Sequence, residues 1–475
     1  MSTATRSDST KYSNEDSKSS TEKPRIRFLG AAQTVTGSKY LITYNHQRIL
    51  VDCGLFQGLK ELRLKNWDRF PVDPKTISAI VLTHAHIDHS GYIPRLIKEG
   101  FTGKVYCADA TKALCKILLP DTGYLQQEEA EFLNRRRLSK HKPALPLFSE
   151  KEAENSLDFF ESKSFSTPFQ IAEGIEATFL YAGHILGAAQ VVLRLGETTI
   201  GFSGDLGRPN DAILMNPEPM KKVDYLVMES TYGNRTHEDS DPSIELEKII
   251  NQAVKNKSVV VIPSFAVGRA QMLLYYLHQL KSQNKIPDIP MYLNSPMATN
   301  VTQLLKQFRS LHKLSIEKCD EICSTVKYVK SVEESKWLNE QKGPMVIISA
   351  SGMATGGRIL HHLKAFAGDP KNFIVLAGFQ AAGTRGRSLQ DGSQEIKIFR
   401  ELIPVRAKVE VLENLSAHAD GAELTDWLNK SKISPKNIFV THGESQASQF
   451  LAQKLRTELG FNCTVPIPDR EYDLD

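Results

Sequence analysis

No stretch of this 475-residue chain is long and apolar enough to span a bilayer, which excludes a protein held in a membrane by its own helices. Cysteine is scarce: Cys53, Cys107, Cys115, Cys319, Cys323 and Cys463 are dispersed and form no paired framework, which excludes a disulfide scaffold and predicts free thiols in a reducing cytoplasm. Cys319 and Cys323 have no second Cys or His pair nearby, too little for a zinc finger. An excess of one charge is also missing. At a formal net charge of +4, any hold on a polyanion must come from local placement of Lys and Arg. The first residues lack the apolar core of a secretory signal and are too acidic for a transit peptide. Their Ser, Thr and mixed charge predict a disordered tail over residues 1–24.

What is present is a chain too long for one ordinary core, with the 41% hydrophobic and 24% charged content of a globular protein, so two structural units are expected. Its most informative stretch is Thr83-His84-Ala85-His86-Ile87-Asp88-His89-Ser90-Gly91, which follows the apolar run Ala79-Ile80-Val81-Leu82. That run reads as a buried strand, and Tyr92, Ile93, Leu96 and Ile97 behind the cluster recur at helical spacing. Three imidazoles and a carboxylate thus sit on a strand-to-helix turn, between two rigid supports. These side chains are ligands for a zinc-like divalent cation, one ion taking His84 and His86 and a neighbour taking Asp88 and His89.

Further along, the same plan repeats: an apolar strand with a polar group at its tip. Arg48 to Asp52 ends in an acid placed to orient a ligand histidine or to shape the turn. Ile175 to Tyr181 leads into Gly183-His184, where small neighbours leave the imidazole free to reach a metal. Thr199 to Phe202 leads to Asp205, a candidate for a carboxylate shared by two cations, and Tyr225 to Met228 leads to Glu229. Ala110 to Leu119 reads as a helix. The segment from Asp121 to Phe148 carries Arg135-Arg136-Arg137, Lys140, His141 and Lys142, and reads either as a solvated face or as a basic lid over a polyanionic substrate.

From about Glu245 strands and helices alternate in the manner of a parallel sheet, with Val259–Ile262, Met291–Leu293, Met345–Ile348 and Phe373–Leu376 as strands. Three loops at strand ends, Pro263 to Arg269, Ala350 to Arg358 and Gln380 to Arg387, pair glycines with an arginine, a combination suited to gripping phosphate.

Taken in order, these motifs resemble the metallo-β-lactamase superfamily and in particular its β-CASP branch of nucleases. His84, His86, Asp88 and His89 match the signature cluster, Asp52 the aspartate before it, His184 the third histidine motif and Asp205 the bridging aspartate. Glu229, Leu415-Ser416-Ala417-His418-Ala419-Asp420 and Val440-Thr441-His442-Gly443-Glu444 match the three β-CASP motifs. The resemblance implies an α/β fold, an αββα sandwich with an inserted β-CASP α/β domain. The domains would be 25–234 (sandwich, first part), 235–408 (β-CASP) and 409–475 (return segment).

The resemblance also implies a dinuclear zinc centre, with Mn²⁺ as an accepted substitute. His84, His86 and His184 would hold one ion, Asp88, His89 and His442 the other, and Asp205 would bridge. His418 would be the general acid, oriented by Glu229, with Asp88 completing the catalytic set, while Ser351 and Arg358 or Arg385 hold the substrate phosphate. Glutamate in the first β-CASP motif and histidine in the third accompany the family's RNA-processing members, so the resemblance points to a cytoplasmic ribonuclease acting on single-stranded RNA, in a family that permits homodimers. The competing readings are a DNA nuclease of the same family, a small-molecule hydrolase of the superfamily and a catalytically dead scaffold.

Overall fold

A computed structural model describes residues 23–238 and 240–475, so the expected tail over 1–24 lies, but for its last two residues, outside the described residues. Alternation sets the first sheet. In Arg25–Phe28 the apolar Ile26 and Phe28 turn inward and the arginines outward. The seven strands run in the order Glu471–Asp473, Arg25–Phe28, Tyr40–Tyr44, Gln47–Val51, Ala79–Val81, Lys104–Cys107 and Phe160–Ser162. The first pairs are antiparallel, joined by a tight turn at Asn45-His46, and pairing becomes parallel from Gln47–Val51 onward.

A second sheet of seven strands lies in the order Cys463–Thr464, Asn437–Thr441, Tyr225–Glu229, Thr198–Phe202, Ala189–Leu195, Ile175–Tyr181 and Phe169–Ala172. The two sheets stack face to face. Ile42, Ile49 and Val81 from one meet Phe179, Val191 and Ile200 from the other, and the rings of Phe28 and Phe439 lie 5.2 Å apart across the layer. Helices pack on the outer faces, giving the expected αββα sandwich.

The chain leaves the second sheet after Glu229 and re-enters it at Asn437. Between them lies a six-stranded, all-parallel sheet in the order Lys327–Tyr328, Met291–Leu293, Met345–Ser349, Val259–Pro263, Phe373–Ala377 and Lys408–Leu412. Its central strands are buried on both faces by helices, which is why they read as continuous apolar runs.

One element departs from expectation. The helix anticipated over Ala110 to Leu119 runs from Asp109 to Arg135, straight through Pro120. A proline inside a pattern argues for a helix end, but Leu118 and Leu119 before it and Gly123 and Ala130 after it are all buried, and that packing outweighs the lost hydrogen bond. No helix among the described residues is long and apolar enough to cross a membrane.

Candidate metal centre and acid

The site is built at the rim where parallel strands end. His84 and His86 follow Ala79–Val81, His184 follows Ile175–Tyr181, Asp205 follows Thr198–Phe202, Glu229 ends Tyr225–Glu229 and His442 follows Asn437–Thr441. Carboxyl ends of neighbouring strands therefore converge on one spot. Asp52 anchors it: one carboxylate oxygen accepts the Thr83 N–H at 2.8 Å, and the other accepts the Thr83 hydroxyl at 2.9 Å and His89 Nδ1–H at 2.7 Å. Gly54 lets this loop close, since a Cβ there would lie 1.6 Å from the Asp88 carbonyl oxygen. Asp52 (φ 58°) and His442 (φ 48°) both occupy the left-handed region, a strain on the order of 1–3 kcal/mol each that their hydrogen bonds must offset.

Four histidines have their outward nitrogen fixed by a partner, which turns the other nitrogen's lone pair into the site. His89 Nδ1–H bonds Asp52, His84 Nδ1–H bonds Thr83 Oγ1 at 3.0 Å, His184 Nδ1–H bonds the Ala417 carbonyl at 3.1 Å and His442 Nδ1–H bonds Thr231 Oγ1 at 3.1 Å. The inward nitrogens crowd together. His86 Nδ1 is 3.1 Å from both His84 Nε2 and His184 Nε2, and His89 Nε2 is 3.0 Å from His442 Nε2.

Asp205 lies between the two groups. Its Oδ2 faces His84 Nε2 at 3.4 Å and His184 Nε2 at 3.6 Å, while Oδ1 faces His89 Nε2 at 3.3 Å and is buried with no hydrogen bond. Asp88 Oδ2 stands 3.4 Å from His442 Nε2. Every side chain expected to ligate a metal is thus present in one of two adjoining clusters, whose ligand atoms lie close enough together to hold an ion. Burial points the same way. It pushes His84 down to about 3 and His86 to about 4, and holds His184 well below the usual range, so these rings are neutral, the form that metal ligation requires. For Asp205, burial opposes the charge, but His442 and His89 outweigh it and the carboxyl is held well below its ordinary value.

Beside the clusters, His418 Nδ1 lies 3.2 Å from Glu229 Oε2, and its ring lies 4.4 Å from that of His184, tilted by 46°. Glu229 is held in turn by the Thr231 hydroxyl at 2.6 Å and the Leu206 N–H at 2.5 Å. Burial works against a charged His418, yet Glu229 and Asp205 prevail and raise it above the ordinary histidine value.

The sequence reading missed what stands behind His418. His237 Nε2–H donates to the His418 carbonyl at 3.2 Å, and the His237 N–H bonds Asp420 Oδ2 at 2.6 Å. Asp420 also caps the helix Gly421–Ser431 in a capping box with Glu423. The Asp-x-x-Glu spacing was a visible signal, whereas the contact of His237 across more than 180 residues was not.

The phosphate candidates make hydrogen bonds within the protein. Arg358 gives its N–H groups to Asn294 Oδ1 at 2.8 Å and to the Val329 and Lys330 carbonyls. Arg385 gives its own to the Lys397, Ala354 and Thr355 carbonyls. Both tie loops together through these carbonyls. Ser351 accepts the Thr355 N–H at 3.0 Å and lies on the rim. The loop before Arg269 brings Phe265 within 6.3 Å of His86, and Phe265 and Phe379 pack with Val35, Met353 and Ala381 where the inserted domain meets the sandwich.

A double sheet carrying a histidine and carboxylate cage at its strand ends, with a parallel-sheet domain over it, defines a metal-dependent hydrolase. Family models agree: the metallo-beta-lactamase superfamily matches residues 34–261, the Beta-Casp domain 270–389 and the Zn-dependent metallo-hydrolase RNA specificity domain 402–466. The chain is 34% identical over 429 residues to "Ribonuclease TTHA0252" of Thermus thermophilus, covering 89% of this chain and 94% of that one. It is 30% identical to an "RNase J-like protein" of Methanocaldococcus jannaschii, covering 93% and 98%. To "Transcription termination factor FttA" of Methanosarcina mazei it is also 30% identical, covering 92% and 69%. A crystal structure of a protein of unknown function from Enterococcus faecalis shares the fold, with a TM-score of 0.51 at 13% identity over 95% of this chain and 100% of that one. The chain belongs to the β-CASP family of the metallo-β-lactamase superfamily.

Proposed function

We propose that this chain is a metal-dependent ribonuclease that hydrolyses RNA phosphodiester bonds. The observation that carries the reading is the pair of ligand clusters sharing Asp205, with the His418–Glu229 pair against their open side. Its family relatives named as ribonucleases support RNA as the substrate. We take the cofactor to be two zinc ions, with Mn²⁺ able to replace them. A tetrahedral site with bonds of about 2.0–2.1 Å has ligand-to-ligand edges of roughly 3.3 Å, and the inward atoms here include pairs 3.0–3.6 Å apart, with Asp88 Oδ2 at 3.9 Å from His89 Nε2. His84, His86 and His184 would hold one ion, Asp88, His89 and His442 the other, and Asp205 both.

When bound, such ions supply a hydroxide at neutral pH and neutralise charge on the phosphoryl oxygens. The remaining work falls to side chains. His418, kept protonated by Glu229, delivers a proton to the departing 3′ oxygen, which is the step a strongly basic leaving group requires. Thr231 and the Leu206 N–H hold Glu229 so that its carboxylate faces His418. Asp88, partly exposed at 20%, borders the approach to the cage. Of the phosphate candidates we retain Ser351, whose hydroxyl lies 3.0 Å from that of Thr355 and can turn its proton outward when Thr355 is the donor. Arg358 and Arg385 serve by holding the loops that present it.

We take the substrate to be single-stranded, because ligands as deeply buried as His84 (0% exposed) and His184 (1%) admit one strand and not a duplex. The six free thiols favour action in the cytoplasm. We take the sandwich to comprise 25–234 and 409–475 and the insertion 235–408, with the second boundary moved on to Leu412 because Lys408–Leu412 pairs in parallel with Phe373–Ala377 of the inserted sheet. A homodimer, which sedimentation would reveal, is part of the same reading. The decisive test offers zinc-loaded protein a labelled single-stranded RNA, the matching DNA and a chromogenic ester. Cleavage of RNA that stops with chelator and returns with Zn²⁺ is expected, and turnover of the ester or DNA alone would overturn the reading.

A further inference from the structure

The basic segment that sequence left between solvated face and lid is an exposed surface held in place by side-chain hydrogen bonds. The helix Asp109–Arg135 begins at the metal centre, where Thr111 Oγ1 bonds the Gly187 carbonyl at 2.7 Å, three residues from His184. It then runs along the inserted domain. Asp121 and Tyr124 lie within electrostatic reach of Arg358, Glu129 lies within reach of Arg385, and Leu138 beyond its end accepts a bond from Arg400 of the hairpin Glu395–Pro404 at 3.2 Å. At 1.5 Å per residue, Arg135 stands about 36 Å along the helix from Thr111.

The segment past the helix end is pinned, which a mobile cover would not be. Asn134 both accepts the Ala144 N–H at 2.8 Å and donates to its carbonyl at 2.9 Å, Gln126 accepts the Leu147 N–H and Gln127 the Glu150 N–H. On this fixed tip Arg135, Arg136, Arg137, Lys140 and Lys142 are all exposed, and among the described residues none has a carboxylate within ion-pair distance. The acids of the helix, Glu128, Glu129 and Glu131, sit one to two turns earlier. Five cations gathered on a rigid surface without carboxylate partners raise the local positive potential, which salt screens and a polyanion would neutralise.

We propose that this tip, with Arg400 beside it, is a second contact for the RNA backbone, holding the strand well away from the bond being cut. The proposal rests on the ribonuclease reading for its choice of polyanion over an acidic protein. At about 3.4 Å per phosphate in a stacked strand, 36 Å corresponds to roughly ten nucleotides. The helix therefore acts as a spacer: an RNA of four nucleotides cannot reach both ends, and one of twenty can.

The test compares the full chain, loaded with zinc, with its R135E/R136E/R137E variant and a milder R136A/K140A variant. Each is assayed on a tetranucleotide and on an unstructured 20-nucleotide RNA, and 20-mer binding is measured separately by anisotropy in a His418→Ala background. For the 20-mer, KM is expected to rise about tenfold or more and the slope of log affinity against log salt to flatten by about 2, at about 0.7 per lost contact. Relative activity on the tetranucleotide should exceed that on the 20-mer by the same factor. Equal loss on both lengths, or 20-mer binding identical to the unaltered chain, overturns the proposal; the second result would leave the tip to an acidic protein. If the unaltered chain binds the 20-mer through these arginines but cuts neither RNA, the contact stands and the ribonuclease reading falls. If it neither binds nor cuts, both fall.

Discussion

His418 and Glu229 form the contact on which proton delivery depends, and the pair has a pH signature. Because the neighbouring carboxylates raise His418, its acid form persists above the ordinary histidine value, and activity should fall as pH rises through that raised value. Glu229→Gln removes the charge that favours the imidazolium, so the alkaline limb of the kcat profile should move to lower pH; an unmoved limb would show that His418 is not the titrating acid. His418→Ala should lose about 10²–10⁴ in kcat with its metal content intact by elemental analysis. His442→Ala should instead lose about one metal equivalent, since its Nε2 belongs to the cluster with Asp88 and His89. The candidate ligands stand out in the sequence because His84, His86, His184, Asp205 and His442 follow apolar strands, where a polar residue needs a reason, and Asp88 and His89 sit on the short helix Ile87–Ser90 directly behind the first of them. What the sequence did not show for Arg358 and Arg385 is their loop contacts: it displays the guanidinium but not the carbonyls that stand opposite it.

At the scale of elements, the helix Gly421–Ser431 connects folding to catalysis. Asp420 caps its first turn, bonds the His237 N–H and follows His418 by two residues, so capping and placement of the acid are one arrangement. Asp420→Ala should cost about 1–2 kcal/mol, as lost N-caps do, read as a lower urea midpoint at unchanged slope. It should also lower kcat more than it raises KM, because a displaced His418 affects turnover first. In the long helix, burial raises Asp121 to about 6, with Glu150 adding to it. The folded chain thus binds a proton there that the unfolded chain has released, and this group's contribution to stability is lost as pH rises from about 4 to 6. Asp121→Asn should flatten that part of the stability profile in chemical denaturation. Sequence showed the strands of the inserted sheet well, since both their faces are buried. It ended this helix early because a proline's local penalty is visible and the distant packing that overrides it is not.

For the molecule as a whole, the cage is a structural element as well as a reactive one. Buried imidazoles and carboxylates from separate strands repel or crowd one another without their ions, so removing metal with chelator should lower the melting temperature. At a free metal level of 100 to 1,000 times Kd the linkage amounts to about 3–4 kcal/mol. Differential scanning fluorimetry with and without added Zn²⁺ checks this, and superimposable transitions would mean the ions contribute nothing to the fold. The two-domain plan was foreseeable from length and from the change of strand pattern. The closeness of the domains at Val35, Phe265 and Phe379 was not, because each residue alone reads as ordinary core.

The strand Asn437–Thr441 pairs in parallel with Tyr225–Glu229, so the sandwich has a neighbour supplied only after the whole insertion has been made. On the ribosome, at about 5–20 residues per second, the wait between Asp205 and His442 is on the order of 10–50 s. For that time the nascent sandwich carries a bare apolar edge and an incomplete ion trap, making this interval the one in which the growing chain is most exposed to misassembly and most in need of a chaperone.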